Sequence, residues 1–277
     1  MLSLHTNAAS LSTQNSLGST NKALSSSMTK LGTGYRVNSA MDDAAGLQIA
    51  QRLNAQTSGM KVAQKNTQNG ISMLQTAEGA LSEIGNMLNR MKDLATEARN
   101  GTASTEDKAS MDAEFQELGK EITNILTNTK FGGQALLNGA GSFQAGAIKF
   151  QIGASEAENY DVDASADLDA FVTAVATPGD ITSEANAATA ITAMEGYIND
   201  VAEVRSQFGA AANRLEHVYN NLGNMIQNTS ASMGRIMDVD YATETSNMTS
   251  KQMLMQASTS MLKQSNSMSQ MVASLLQ

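Results

Sequence analysis

The chain has 277 residues and a formal net charge of −9, with 4% aromatics, one proline (Pro178), no Trp, no Cys and 18 Met. The absence of Cys excludes disulfide scaffolds, thiolate metal sites and thiol chemistry, and two histidines, His5 and His217, are too few for a His-rich centre. A single proline predicts long uninterrupted helices, because each proline in a helix interior costs about 3 kcal/mol.

The N-terminus is polar and holds no acid. Ser, Thr, Asn and Gln make up 19 of the first 40 residues, and the only charges there are Lys22, Lys30 and Arg36. A thin apolar stripe, Leu4, Leu11, Leu17, Leu24, Met28 and Leu31, predicts a helix that needs a partner to be stable. Gly32-Thr33-Gly34 reads as a turn rather than a phosphate cradle, which needs a preceding strand and either a third glycine or a Lys-Ser/Thr pair. The first residues lack the basic start and apolar core of a secretory signal peptide. No run of about 18 apolar residues suggests a membrane span.

Further along, Leu74, Ala77, Leu81, Ile84, Leu88, Met91, Ala95 and Ala98 alternate by three and four without a slip, predicting a helix over 74–98 in a coiled-coil-like bundle. Asn100-Gly101 ends it. Ser104-Thr105-Glu106-Asp107 starts another, with its acids in the first turn. That helix carries Met111, Phe115, Leu118, Ile122 and Ile125 and stops before Phe131-Gly132-Gly133.

Residues 140–184 break the pattern. They hold eight acids and one base, Lys149. Phe143, Ile148, Phe150 and Ile152 alternate among Gly and Gln, predicting short strands or a hairpin, with turn signals at Asn138-Gly139, Gly141 and Pro178-Gly179.

One long heptad stripe follows: Ile191, Met194, Ile198, Val201, Phe208, Ala212, Leu215, Tyr219, Leu222, Ile226, Met233 and Ile236, with Arg205 and Thr229 as polar exceptions. Roughly 45 residues at 1.5 Å each make a helix of about 70 Å. The C-terminal end repeats the chemistry of the start, with 19 Ser, Thr, Asn or Gln among the last 37 residues. Its stripe is Leu254, Met261, Met268 and Leu275, thickened by Met255, Leu262, Met271, Val272 and Leu276. The two terminal helices are therefore expected to pair with each other, leaving their polar faces for neighbouring copies.

Nothing in the chain reads as catalytic. Asp42-Asp43 and Asp161, Asp163, Asp167 and Asp169 lack the glycine turn and closing Glu of a calcium loop. His217 has no visible triad partners, and no His-Glu-x-x-His is present. The methionines are read as fillers of heptad positions. No enzyme activity, cofactor or metal is expected, and the acidic balance argues against a nucleic-acid face.

The run from Leu31 to Leu47 (LGTGYRVNSAMDDAAGL) resembles the N-terminal signature of bacterial flagellin. So do Asn89 to Gly101 (NRMKDLATEARNG) and Phe131 to Gly139 (FGGQALLNG). Arg205 to Glu216 (RSQFGAAANRLE), Ile236 to Glu244 (IMDVDYATE) and Leu275-Leu276-Gln277 resemble its C-terminal half. The resemblance covers roughly 1–139 and 186–277 and leaves the middle as the variable part.

The resemblance implies a subunit that leaves the cell unfolded through the flagellar type III route and polymerises into the extracellular filament. It implies an organisation of 1–42 as an N-terminal inner-tube helix, 43–139 as the first part of a rod, 140–184 as an acidic variable outer segment, 185–237 as the long rod helix, and 238–277 as the second inner-tube helix. The expected fold is thus mainly α, an elongated coiled-coil-like helical bundle with a small β-containing segment. Expected partners are other copies of the chain in a helical homopolymer, an export chaperone, and cap and junction proteins. A host flagellin-sensing Toll-like receptor is a further expected partner, through Arg90, Leu94 and Glu114. Leu17, Leu24, Leu31, Leu254, Met261, Met268 and Leu275 are expected to pack the terminal helices. Two other readings compete: a hook–filament junction protein and a secreted coiled-coil adhesin.

Overall fold

A computed structural model describes residues 7–139 and 143–275. Among them are six helices: α1 (Ala8–Thr33), α2 (Ala44–Ala98), α3 (Thr105–Asn128), α4 (Ser165–Val175), α5 (Glu184–Met237) and α6 (Tyr241–Leu275). Two antiparallel hairpins complete it, β1 (Lys130–Phe131) with β2 (Gln134–Ala135) and β3 (Ile148–Gln151) with β4 (Asn159–Val162). The mainly α class read from the sequence is the observed one. The contacts divide the chain into a terminal unit, from 1–55 and 228–277, and a central unit, 56–227.

The central unit is built on the predicted stripes. Leu74, Ala77, Leu81, Ile84, Leu88, Met91, Ala95 and Ala98 of α2 are all buried in one cluster with Phe115 and Ile122 of α3 and Met194, Val201, Phe208 and Leu215 of α5. The α2 and α5 segments run antiparallel, since Lys92 pairs with Glu195 at 3.0 Å and Arg205 with Glu78 at 2.8 Å. That second pair explains why a charge interrupts the α5 stripe: the Arg205 stem packs while its guanidinium reaches across to α2. Ser104 caps α3, accepting from the Asp107 N–H at 3.1 Å while Asp107 accepts from the Ser104 N–H at 3.1 Å, a reciprocal capping box.

Helix α2 begins at Ala44, well before the predicted start near Leu74. Its first half was hidden because small and polar residues hold the stripe there: Thr57, Ala63 and Thr67 are buried along with Met60. Thr67 satisfies its hydroxyl locally by donating to the Ala63 carbonyl at 2.8 Å.

The middle of the chain is not a loose appendage. The β3–β4 hairpin is present as expected, but α4 was not foreseen, and Leu168, Phe171 and Val175 bury its face in the same core. Phe143 lies with its ring centroid 4.6 Å from that of Phe208. Phe171 meets Tyr197 edge-on at 6.1 Å, and the Tyr197 hydroxyl donates to the Ala174 carbonyl at 3.2 Å. The Asp112 carboxylate accepts from the Ile181 N–H at 2.9 Å, tying the exit of the segment to α3. Gly132 and Gly133 both take positive φ, 59° and 88°, as a two-residue hairpin turn between β1 and β2 requires.

The terminal unit is an antiparallel pair, α1 with α6, closed at one end. Gly34 ends α1 in the left-handed region at φ 77°, its N–H donating to the Lys30 carbonyl. The chain then bridges the start of α6: the Arg36 N–H donates to the Met237 carbonyl at 2.6 Å and the Val239 N–H to the Gly34 carbonyl at 3.0 Å. Asp42 and Asp43, weighed above as cation ligands, organise the backbone instead. Asp42 accepts from the N–H groups of Asn38 and Ser39, and Asp43 accepts from the Gly46 N–H at 2.8 Å at the start of α2.

Candidate functional site

The face each terminal helix turns to its partner follows a heptad. On α1 the more covered positions include Ser10, Leu17, Leu24, Ser27 and Leu31, so three of the predicted packing leucines lie on the paired face. On α6 the more covered line is Met248, Lys251, Met255, Ser258, Leu262 and Ser265. Asn7 holds the far end: its Nδ2 donates to the Ser265 carbonyl at 3.2 Å and to the Ser265 Oγ at 3.1 Å, and the Ser10 hydroxyl donates to Asn266 Oδ1 at 3.3 Å. Serines on both faces let the two backbones approach closely.

The predicted packing residues of α6 are therefore corrected. Leu254, Met261 and Met268 do not face α1; all three are exposed, as are Leu11 and Met28 of α1. The covered positions Met255 and Leu262 lie one residue further on, which rotates the seam by about 100°. A second apolar line, exposed among the described residues, is what remains outside. Leu4, Val272, Leu275, Leu276, His5 and Gly141 lie outside the residues whose side chains are described.

The proposed recognition residues separate into two layers. Arg90 and Glu114 join α2 to α3 on the surface, Arg90 Nε donating to Glu114 Oε1 at 2.8 Å with Nη2 2.7 Å from the same oxygen. Both side chains are about half exposed, so the pair contributes at most about 1 kcal/mol. Leu94, expected beside them, is 2% exposed and belongs to the core. Its one-turn spacing from Arg90 is real, but it supports the helix from below and presents no surface.

Three of the four clustered acids of the middle segment accept hydrogen bonds from neighbouring residues. Asp163 accepts from the Ser165 N–H and hydroxyl, Asp167 from Gln207 Nε2 at 2.8 Å, and Asp169 from Gln144 Nε2 at 3.0 Å. Among the described residues no group of three potential ligands converges on a metal position. Asp200 of α5 is held above the usual carboxylate value by burial and by the charge of Asp167. His217 lines an open groove with Arg214 and Glu158, between α2, the β3–β4 turn and α5. Arg214 sits over the Tyr160 ring at 4.1 Å, holding the hairpin to α5. No helix among the described residues is long and apolar enough to cross a membrane.

Sequence reasoning assigned Met261 and Met268 to an internal seam and did not single out Met253. All three are exposed. The available signal was that α6 carries two candidate lines one residue apart, and only one of them can be occupied by a single partner helix.

Residues 4–142 match the pattern of the bacterial flagellin N-terminal helical region, and 191–276 that of the bacterial flagellin C-terminal helical region. Flagellin of Halalkalibacterium halodurans is 43% identical over 250 residues, covering 90% of each chain. The crystal structure of Bacillus cereus flagellin superposes with a TM-score of 0.50 at 33% identity, covering 57% of this chain and 88% of that one. A Vibrio parahaemolyticus structure described as a flagellar hook-associated protein superposes at 0.57 with 15% identity over 71% of this chain and all of its own, a likeness of fold alone. With both helical regions matched in order, the chain belongs to the bacterial flagellin family, the structural subunits of the extracellular flagellar filament.

Proposed function

We propose that the subunit joins its neighbours through the outer faces of α1 and α6, and that it reaches the filament tip unfolded, through the flagellar type III route, with an export chaperone and the cap and junction proteins as successive partners. The observation that carries the assembly reading is the exposed apolar line Leu254, Met261 and Met268 on α6, with Leu11 and Met28 on α1. Apolar residues repeated along a helix already paired on its other face favour burial against a further helix. Copies repeating head to tail make a heterologous contact that extends rather than closes, which gives an open helical tube.

The test is elongation of sheared filament seeds, followed by electron microscopy. Leu254→Glu with Met261→Glu places charge on the outer face, and a variant that grows tubes at the normal rate would falsify the assignment of that face. Short caps on the seed ends without growth would instead favour a junction protein.

Host recognition is assigned to the Arg90–Glu114 surface. Arg is a frequent interface anchor, and this one is held in place by Glu114. Leu94 contributes only by supporting the helix beneath it. Arg90→Ala and Glu114→Ala should lower the response of a flagellin-sensing Toll-like receptor reporter while leaving the unfolding midpoint near that of the parent chain. An unchanged response from both variants counts against this surface.

A further inference from the structure

Methionine is the chain's only sulfur-bearing residue, with 18 copies and no Cys. Among the described residues their exposure varies widely, and Met28, Met41, Met225 and Met271 are among the open ones. Met60, Met91 and Met194 are at most 2% exposed and fill the central core. Met253, Met261 and Met268 are 60%, 64% and 50% exposed on α6. Leucine at these positions would supply the same apolar bulk, as Leu254 does within the same face. What methionine adds is a thioether open to two-electron oxidation.

We propose that Met253, Met261 and Met268 form a reversible oxidation site that governs whether a free subunit can join the assembly. The proposal rests on the assembly reading above. A peroxide transfers one oxygen to the Sδ lone pair: the O–O bond breaks, an S–O bond forms, and the second oxygen leaves as water with both protons. Sulfur is oxidised by two electrons and the peroxide is reduced by two. The reverse step takes two electrons from a pair of thiols, which become a disulfide, and the sulfoxide oxygen leaves as water. The sulfoxide is polar and a strong acceptor. Placed against a neighbouring apolar helix, it loses its water without gaining a donor, which lowers association by about tenfold for each buried sulfoxide. In a grown tube the same thioethers are covered, so oxidation acts on subunits before they add.

The experiment treats full-length monomer with hydrogen peroxide, maps sulfoxides by peptide mass spectrometry, and follows elongation on untreated seeds. Met253, Met261 and Met268 should oxidise well ahead of Met60, Met91 and Met194, and elongation should fall at least about tenfold. Methionine sulfoxide reductases with dithiothreitol should restore it. In a chain carrying Met253→Leu, Met261→Leu and Met268→Leu, peroxide should leave the elongation rate where it stands for the same chain untreated. Oxidised parent chain that elongates at the untreated rate overturns the proposal, and so does a leucine variant that loses as much. The reductase arm needs no variant: sulfoxides removed without recovery of growth also overturn it. If untreated parent chain never elongates seeds, the assembly reading itself fails, and this proposal with it.

Discussion

Gly59 of α2 meets the β3–β4 turn so closely that an added methyl group would stand 2.7 Å from the Ala154 Cβ. That contact explains a glycine in a helix interior, where it costs about 1 kcal/mol relative to alanine. Gly59→Ala is expected to destabilise the central unit by about 1–3 kcal/mol, because overpacking against backbone exceeds the gain in helix propensity. Gly79, also within α2, has open space where its Cβ would be. Gly79→Ala should therefore stabilise by about 0.5–1 kcal/mol. Urea unfolding of the two variants should give shifts of opposite sign.

The two layers at the recognition surface make a second pair of expectations. Leu94→Ala removes a buried side chain and should cost about 2–5 kcal/mol. Arg90→Ala breaks a half-exposed pair and should stay within about 1 kcal/mol. Equal and small effects from both would show that Leu94 is not part of the core. A receptor response lost only in Leu94→Ala is to be read as a folding effect.

The Phe143–Phe208 contact predicts that the middle segment unfolds with the helices. Phe208→Ala should cost about 3–5 kcal/mol and should expose 143–181 to protease in the same transition as α5. Cleavage in that segment well below the main unfolding midpoint would contradict its place in the core.

Acid acts on this chain with two signs. The hydroxyl and N–H of Thr243 and the N–H of Ala242 hold the Asp240 carboxyl below its usual 3.8 at the start of α6. The Ser104 hydroxyl and N–H do the same for Asp107 at α3. A depressed carboxylate contributes stability that is present above 3.8 and lost as pH falls through its lower folded value. Asp200 is the opposite case, raised first by burial and then by Asp167. Its folded form takes up a proton before the unfolded chain does, so stability rises as pH falls toward 3.8. Thermal unfolding should show a maximum on the acid side of neutrality, and Asp200→Asn should raise neutral-pH stability and remove the acid-side rise. A monotonic fall from neutral pH in the parent chain would contradict the Asp200 assignment.

Where large apolar residues carry the heptad, as from Leu74 to Ala98 and from Met194 to Leu222, the sequence alone locates the core. The start of α2 was illegible because Thr57, Ala63 and Thr67 are buried there, and small or hydroxylated residues give no periodic signal until a partner covers them. Helix α4 had a readable spacing in Leu168, Phe171 and Val175, masked by the surrounding acids. The terminal seam failed by one residue. Met255 and Leu262 compete with Leu254 and Met261 for the inner face, and the polar background of α6 offers nothing to break the tie. Receptor candidates placed by resemblance carried no burial information, and so Leu94 was assigned to a surface it does not reach.

The central claim is that the terminal helix pair drives assembly, and one comparison tests it most directly. Seeds are supplied with full-length chain or with a chain ending before Tyr241, and tubes are measured by electron microscopy while circular dichroism follows the central helices. The account predicts long tubes from the full chain and none from the shortened one, with the central unit's unfolding transition retained in both. Tubes growing at similar rates from the shortened chain would contradict it.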